Sequence, residues 1–250
     1  ISLKEGKEAV SSPKENWRIV NVKPVTDMIA MICFENRDFK IKSFGKSLGW
    51  LGRHFRVSFN NDKSQARLYT TALALSEWNI QLRHAIFKYF DEIMLGENFA
   101  ISLEECDENL EFYLQPQNYL PLFIKSYCQF AKAFSTKVHH VQPDDHTGKN
   151  NFRVEGPLGR GLEMTAENSN GGSIVIICAG TGILPMIDFL NLFLWKNLYE
   201  ILKEKAGVQY AEKMNVLDLP FDRFMNRLNV TFFGSFANEK QVVGLDIIKK

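Results

Sequence analysis

The sequence predicts an antiparallel β-barrel followed by the opening of a parallel α/β unit. Three observations predict it. Short β-rich runs punctuated by glycine fill residues 17 to 59. A helical period sets in at Ser76. Finally, a continuous apolar run, Ser173 to Cys178, follows Gly171-Gly172 and leads into a Gly-Thr-Gly turn and Pro185.

Residues 1–16 are polar and charged, with Ser11, Ser12 and Pro13, and read as a tail or linker. Strands are expected at Trp17 to Val22, Val25 to Phe34 and Arg53 to Phe59, with Gly45, Gly49 and Gly52 in the connections. Several short strands in succession suggest a barrel or sandwich. From Ser76, the residues Trp78, Leu82, Ala85, Ile86, Tyr89, Phe90, Ile93 and Met94 recur at helical spacing. Ser76 suits an N-cap and Gly96 a stop, which gives a helix of about five turns. An acidic stretch, Glu104 to Glu111, follows, and strand character returns at Leu120 to Tyr127 and Phe152 to Glu155. The run Ser173 to Cys178 fits a strand covered on both faces, as in a parallel sheet. Pro185 suits a first helical position, and that helix continues to about Lys205, ahead of Gly207. A second apolar run, Asn229 to Phe236, precedes a polar segment of helical composition, Asn238 to Lys250.

Composition narrows the class. The 250 residues are 45% hydrophobic and 24% charged, an ordinary globular balance. Thirty basic side chains against 29 acidic ones give a net charge of +1, which argues against a nucleic-acid partner. Cys33, Cys106, Cys128 and Cys178 form no CxxC pair. No zinc site, other metal site or disulfide framework is expected, and a reducing intracellular setting fits. The segment from Ile174 to Trp195 is broken by Gly180, Gly182, Pro185, Asp188 and Asn191. It reads as strand, turn and buried helix and not as a membrane span. The chain opens on Ile with no signal-peptide pattern, so processing, or origin as a piece of something longer, is expected.

Four motifs can carry chemistry. Arg67-Leu68-Tyr69-Thr70 follows a predicted strand. A guanidinium grips a pyrophosphate in a fork, a phenol ring lies against a flat heterocycle, and a hydroxyl bonds its edge. An edge strand with alternating faces explains the same four residues. Ile124-Lys125-Ser126-Tyr127 is followed by Phe134-Ser135 opening a helix, whose unpaired N–H groups suit a phosphate. An amphipathic strand and an ordinary Ser cap are the alternative. Glu155-Gly156-Pro157-Leu158-Gly159-Arg160-Gly161 allows close backbone approach, or simply a turn. Cys178-Ala179-Gly180-Thr181-Gly182-Ile183-Leu184-Pro185 joins a buried strand to a helix, the usual place for a nucleotide phosphate in α/β folds. His139-His140 is expected on a strand, where neighbours point to opposite faces, as a surface pair and not a metal or haem site.

The order of these motifs resembles the ferredoxin–NADP reductase superfamily, and within it the cytochrome b5 reductase branch. Trp17-Arg18-Ile19-Val20 with Val25-Thr26-Asp27 is similar to that branch's first hairpin, and Gly52-Arg53-His54-Phe55 to its strand before the flavin motif. Phe236-Ala237-Asn238-Glu239-Lys240 resembles the end of its second nicotinamide-domain strand. The similarity covers roughly residues 17 to 75 and 120 to 250.

The resemblance implies an FAD-binding β-barrel domain over 17–168, with an inserted helix near 76–119, and a partial Rossmann-like NAD-binding α/β domain over 172–250. Implied FAD contacts are Arg67 on the pyrophosphate, Tyr69 on the isoalloxazine and Thr70 near the flavin N5, the one residue given a catalytic role. Lys125 and Tyr127 would line the adenine or ribityl side and Ser135 the pyrophosphate. Gly180, Thr181, Gly182 and Pro185 would face NADH or NADPH, and Glu239 disfavours a ribose phosphate by charge. Electrons would leave singly to a haem or iron–sulfur partner. The stretch from Gly172 to Lys250 is short for a complete nucleotide domain. The expectation is a chain completed elsewhere, or one that has lost nicotinamide binding. A catalytically inactive, reductase-like structural subunit of a larger respiratory or membrane complex is therefore the alternative, docked through the 76–119 insertion. Both readings allow peripheral association with a mitochondrial or endoplasmic-reticulum membrane.

Overall fold

The computed structural model describes residues 16–40, 51–60, 62–95, 118–126, 134–141, 143, 151–164, 169–217, 219 and 221–249. Strands β1 (Arg18–Pro24), β2 (Ile29–Glu35) and β5 (Tyr119–Lys125) form one antiparallel sheet in the order β1-β2-β5. A second, in the order β4-β3-β6, holds β3 (His54–Phe59), β4 (Asp62–Thr70) and β6 (Phe152–Leu158). Isolated bridges link the sheets at Trp17–Phe152 and Thr71–Leu122. Among the described residues, the six strands are thus two sheets over one core and not a continuously hydrogen-bonded barrel. Aromatic rings fill that core: Phe152 meets Phe34 edge-on at 5.3 Å and Phe59 at 5.1 Å, and Trp17 lies 4.7 Å from Phe39.

The second strand begins at Ile29 and not at Val25. Thr26 Oγ1 accepts the N–H groups of Met28 and Ile29 at 3.3 and 3.1 Å, a local turn that keeps residues 25–28 out of the strand.

Helix α1 spans Glu77–Met94. Ser76 occupies the N-cap, but its hydroxyl makes no cap bond: Oγ donates to Leu73 O at 2.5 Å and accepts from Asn79 Nδ2 at 3.0 Å. The helix closes at Met94 with Leu95 as C-cap; the expected stop, Gly96, lies outside the described residues. Its inner face buries Trp78, Leu82, Ala85, Ile86 and Tyr89, together with the polar Asn79 and Arg83. The helix packs on more than the first sheet. Trp78 meets Tyr119 of β5 edge-on at 4.9 Å, while Tyr89 Oη donates to Tyr210 O, in the short helix α4 (Val208–Glu212), at 2.9 Å. α1 therefore ties the β-sheets to the α/β unit.

Helix α2 (Phe134–His139) carries the histidine pair at its end, which corrects the strand expected there. His139 Nε2 lies 2.7 Å from Ile124 O, and its partial burial lowers its pKa. His140 is exposed in the following turn.

Strands β7 (Ser173–Ala179) and β8 (Asn229–Ser235) pair in parallel, from Ser173 opposite Asn229 to Ala179 opposite Ser235. Helix α3 (Leu184–Lys205) follows the glycine turn, and Trp195 at its centre is fully buried. Ile176 points into the covered side of the sheet. The other side is open: Val175, Ile177 and Phe233 are 58%, 80% and 58% exposed. This overturns the expectation of a strand covered on both faces. An unbroken apolar run reports that both faces are apolar, and not that each one has a cover. The segment expected to be helical after β8 holds a 3-10 turn, Glu239–Gln241, and one helical turn, α5 (Leu245–Ile248). Among the described residues, no helix is long and apolar enough to cross a membrane.

Candidate functional site

The Arg67–Thr70 motif forms the last four residues of β4 and does not follow a strand. Register fixes its faces. Tyr69 stands opposite Phe55 and Arg67 opposite Val57, while Thr70 pairs with His54 and Leu68 with Arg56. Paired residues share a face and neighbours alternate, so Arg67 and Tyr69 lie on one face and Thr70 on the other. Tyr69 is half-buried against the core with its Oη buried. The Arg67 side chain is exposed and donates from Nη1 to Ala66 O at 2.9 Å.

Helix α2 brings the second motif to the same place. It packs over β4 and β5, where Lys137 Nζ donates to Gln65 Oε1 at 3.1 Å. Lys125 ends β5 opposite Ile29, and Thr71 Oγ1 donates to Pro121 O at 3.3 Å, holding β5 against the residue after Thr70. Ser135 is buried in the first turn of α2. Tyr127 lies outside the described residues. In the third motif, a Cβ on Gly156 would come within 2.4 Å of the buried Phe55 ring, so close packing requires glycine there.

Gly180, Thr181, Gly182 and Ile183 form a 3-10 turn at the carboxyl ends of the parallel strands, with Pro185 in the first turn of α3. Gly180 has φ +51°, and a Cβ there would meet nothing within 4 Å. Gly182 is exposed, while Thr181 and Pro185 are half-buried. An open glycine turn ahead of a long helix offers backbone N–H groups and a positive dipole end to an anion. Such a turn could hold a nucleotide phosphate; on β4, Arg67 is exposed two residues from the half-buried Tyr69 on the same face.

A contact invisible in the sequence joins the two regions. Asp188, in the second turn of α3, accepts the Leu73 N–H on Oδ2 at 3.1 Å and the Ala74 N–H on Oδ1 at 2.8 Å. Leu73 lies three residues beyond Thr70, and Asp188 three beyond Pro185, so the first and fourth motifs flank one interface. Arg83 reinforces it: Nη1 donates to Ala74 O at 2.7 Å and Asn191 Oδ1 at 3.2 Å, and Nη2 to Asp246 Oδ2 at 2.5 Å. Burial pushes the Asp188 carboxyl up to about 7, although the Ala74 and Leu73 N–H groups and the Arg83 charge all pull it down. The readable signal was an acid within an apolar helix, a residue type that is almost never fully buried unless paired. Sequence reasoning used it only as a break in a membrane-span pattern.

No family model matches the chain, and no curated protein matches it. The solved structures it resembles include flavohemoglobin, reductases and a self-sufficient cytochrome P450 monooxygenase. Flavohemoglobin from Malassezia yamatoensis, with bound FAD and heme, is 13% identical with a TM-score of 0.48, over 96% of this chain and 43% of that one. The CS-b5R domains of human Ncb5or are 12% identical with a TM-score of 0.49, over 94% of this chain and 46% of that one. Ferredoxin-NADP+ reductase from Plasmodium falciparum is 15% identical with a TM-score of 0.45, over 94% and 63%. This chain spans less than two thirds of each.

Proposed function

We propose that this chain is an FAD-binding electron-transfer protein of reductase type, accepting hydride from NADH or NADPH and passing electrons to a haem or iron–sulfur protein. The observation that carries this reading is the Asp188 junction, which draws the Arg-x-Tyr-Thr strand end and the Gly-Thr-Gly turn to opposite sides of one interface. The division into a flavin domain over 17–168 and a nucleotide domain over 172–250 belongs to the same proposal. The flavin supplies the redox chemistry when bound, and the chain supplies placement and electrostatics. Arg67 holds the pyrophosphate with help from Ser135, Tyr69 packs on the ring system, and Thr70 lies beside its edge. Lys125 and Tyr127 line the adenine or ribityl side. Gly180, Thr181, Gly182 and Pro185 receive the nicotinamide nucleotide.

Purified protein reconstituted with FAD is expected to show a flavin spectrum that bleaches anaerobically with NADH or NADPH. Arg67→Ala is expected to weaken FAD binding on the order of 10–100-fold, the worth of a charged hydrogen-bonded contact. Wild-type protein that takes up no flavin overturns the reading, and bound flavin that neither nucleotide bleaches removes the enzymatic part of it.

A second reading, a catalytically silent subunit of a larger assembly, is favoured by one observation: the bare apolar face of Val175, Ile177 and Phe233. Under this reading the protein stays colourless in excess FAD and self-associates when isolated. Ile177→Ser is expected to reduce light scattering at high concentration while leaving stability unchanged to within about 0.5 kcal/mol. Scattering that the substitution does not alter counts against it.

A further inference from the structure

We propose that the groove between α1 and α5 is a self-association surface, in which α1 of a second copy of this chain lies antiparallel along α1 of the first. The groove has a volume of about 1050 Å³. Phe87 and Leu95 of α1 line one wall, and Val242 and Leu245 the other. Leu95 is 78% exposed, a large apolar side chain at the carboxyl end of the helix. The second wall is fixed in place. Val243 and Ile247 are buried, and Arg83 Nη2 donates to Asp246 Oδ2 from one wall to the other at 2.5 Å. A Cβ on Gly244 would come within 2.4 Å of Ile187 Cδ1, so the turn into α5 packs directly on α3. A surface formed in advance needs little ordering when a partner docks on it.

The order of charges names the occupant. His84, Lys88, Asp91 and Leu95 are exposed, line the groove and recur at spacings of four, three and four residues, which puts them on one stripe of α1. That spacing reads the same in both directions. A two-fold axis between Lys88 and Asp91 therefore sets each Lys88 opposite Asp91 of the second copy, and each His84 opposite its Leu95. The basic residue precedes the acidic one along the helix, so an antiparallel pair matches unlike charges twice. A parallel pair would set Lys88 beside Lys88. The charged residues lining the groove are three bases, Arg83, Lys88 and Lys249, and three acids, Asp91, Glu92 and Asp246. It thus calls for an occupant with no net charge, and the α1 stripe, with one residue of each sign, has none. Leu95 of the second copy comes beside His84 and Phe87, which takes its apolar surface out of water. From His84 to Leu95 the helix runs about 16 Å, so the seam is narrow and the dimer weak, with a dissociation constant on the order of 10–100 μM.

Sedimentation velocity on the full chain, from about tenfold below to about tenfold above that range, tests this. A reversible monomer–dimer equilibrium is expected, and it should weaken as salt rises because the paired charges are exposed. Lys88→Glu alone, or Asp91→Lys alone, sets like charges opposite each other twice in the seam and is expected to weaken the dimer about tenfold. Combining the two substitutions restores unlike pairs and is expected to restore the wild-type dissociation constant. Both positions are exposed, and unchanged melting temperatures show that the variants keep the fold. Wild-type chain that stays monomeric throughout overturns the proposal. So does a dimer that the single reversals leave intact, or one that the double reversal fails to restore. A dimer lost instead in Ile177→Ser belongs to the open face of β7 and β8 and overturns it equally. None of these readouts uses flavin, so a colourless chain tests the groove as well as a loaded one.

Discussion

Lys196→Met is expected to lower the free energy of unfolding by about 3–5 kcal/mol. Lys196 is 2% exposed in the middle of α3. Its ammonium has three protons and three acceptors: Glu200 Oε1 at 2.5 Å, Asn226 Oδ1 at 2.7 Å, and Phe221 O. The last two belong to the segment that leads into β8. This cation therefore fastens the helix to the approach of the second parallel strand, at the end of the sheet away from the glycine turn. Methionine matches the length of the lysine stem, so packing is largely preserved. What is lost is the partner of the Phe221 carbonyl and the Asn226 amide oxygen, each left with a desolvation penalty of about 1–3 kcal/mol. The measurement is the urea midpoint, with an unchanged slope showing that the folded state keeps its extent. A loss below about 1 kcal/mol would mean that water replaces the ammonium freely and that the site is not closed.

Arg83→Met is expected to cost a similar amount, about 3–5 kcal/mol, and to make that cost depend on pH. The guanidinium is 1% exposed and joins α1, the Leu73–Leu75 turn, α3 and α5 through Ala74 O, Asn191 Oδ1 and Asp246. It also lowers the pKa of Asp188. Without it the Asp188 carboxyl moves further above its unfolded value, and such an acid contributes stability that is lost as pH rises through the folded-state pKa. The deficit against wild type should therefore be smaller in mildly acidic buffer than in mildly alkaline buffer. Paired denaturation curves at the two conditions check this. A deficit equal at both would show that Arg83 acts on the junction by packing alone.

Both predictions concern residues whose importance local sequence patterns do not show. Helical spacing correctly placed Trp78, Leu82, Ala85, Ile86 and Tyr89 on one buried face of α1, because a period reports which side chains share a side. It could not report that Arg83 shares that side, with acceptors as far away as Asp246, 163 residues along the chain. The strand, glycine turn and helix from Ser173 to Lys205 were legible for the same local reason, glycine and proline punctuating an apolar run. The open face of β7 was not, since cover is supplied by other elements and leaves no mark on the strand itself.

The sequence by itself determined the kinds of chemical groups available, their order, and the local elements that present them: a basic and aromatic strand end, a glycine turn and an amphipathic helix. Only the tertiary structure decided which face Arg67 and Tyr69 share, because that follows from pairing with the buried Val57 and Phe55. Only the tertiary structure made an aspartate in α3 the link between the two motif regions, across 115 residues of chain. The physical reason is range. Propensity and periodicity act over a few residues, whereas burial, desolvation and shared hydrogen bonds depend on which distant segments meet.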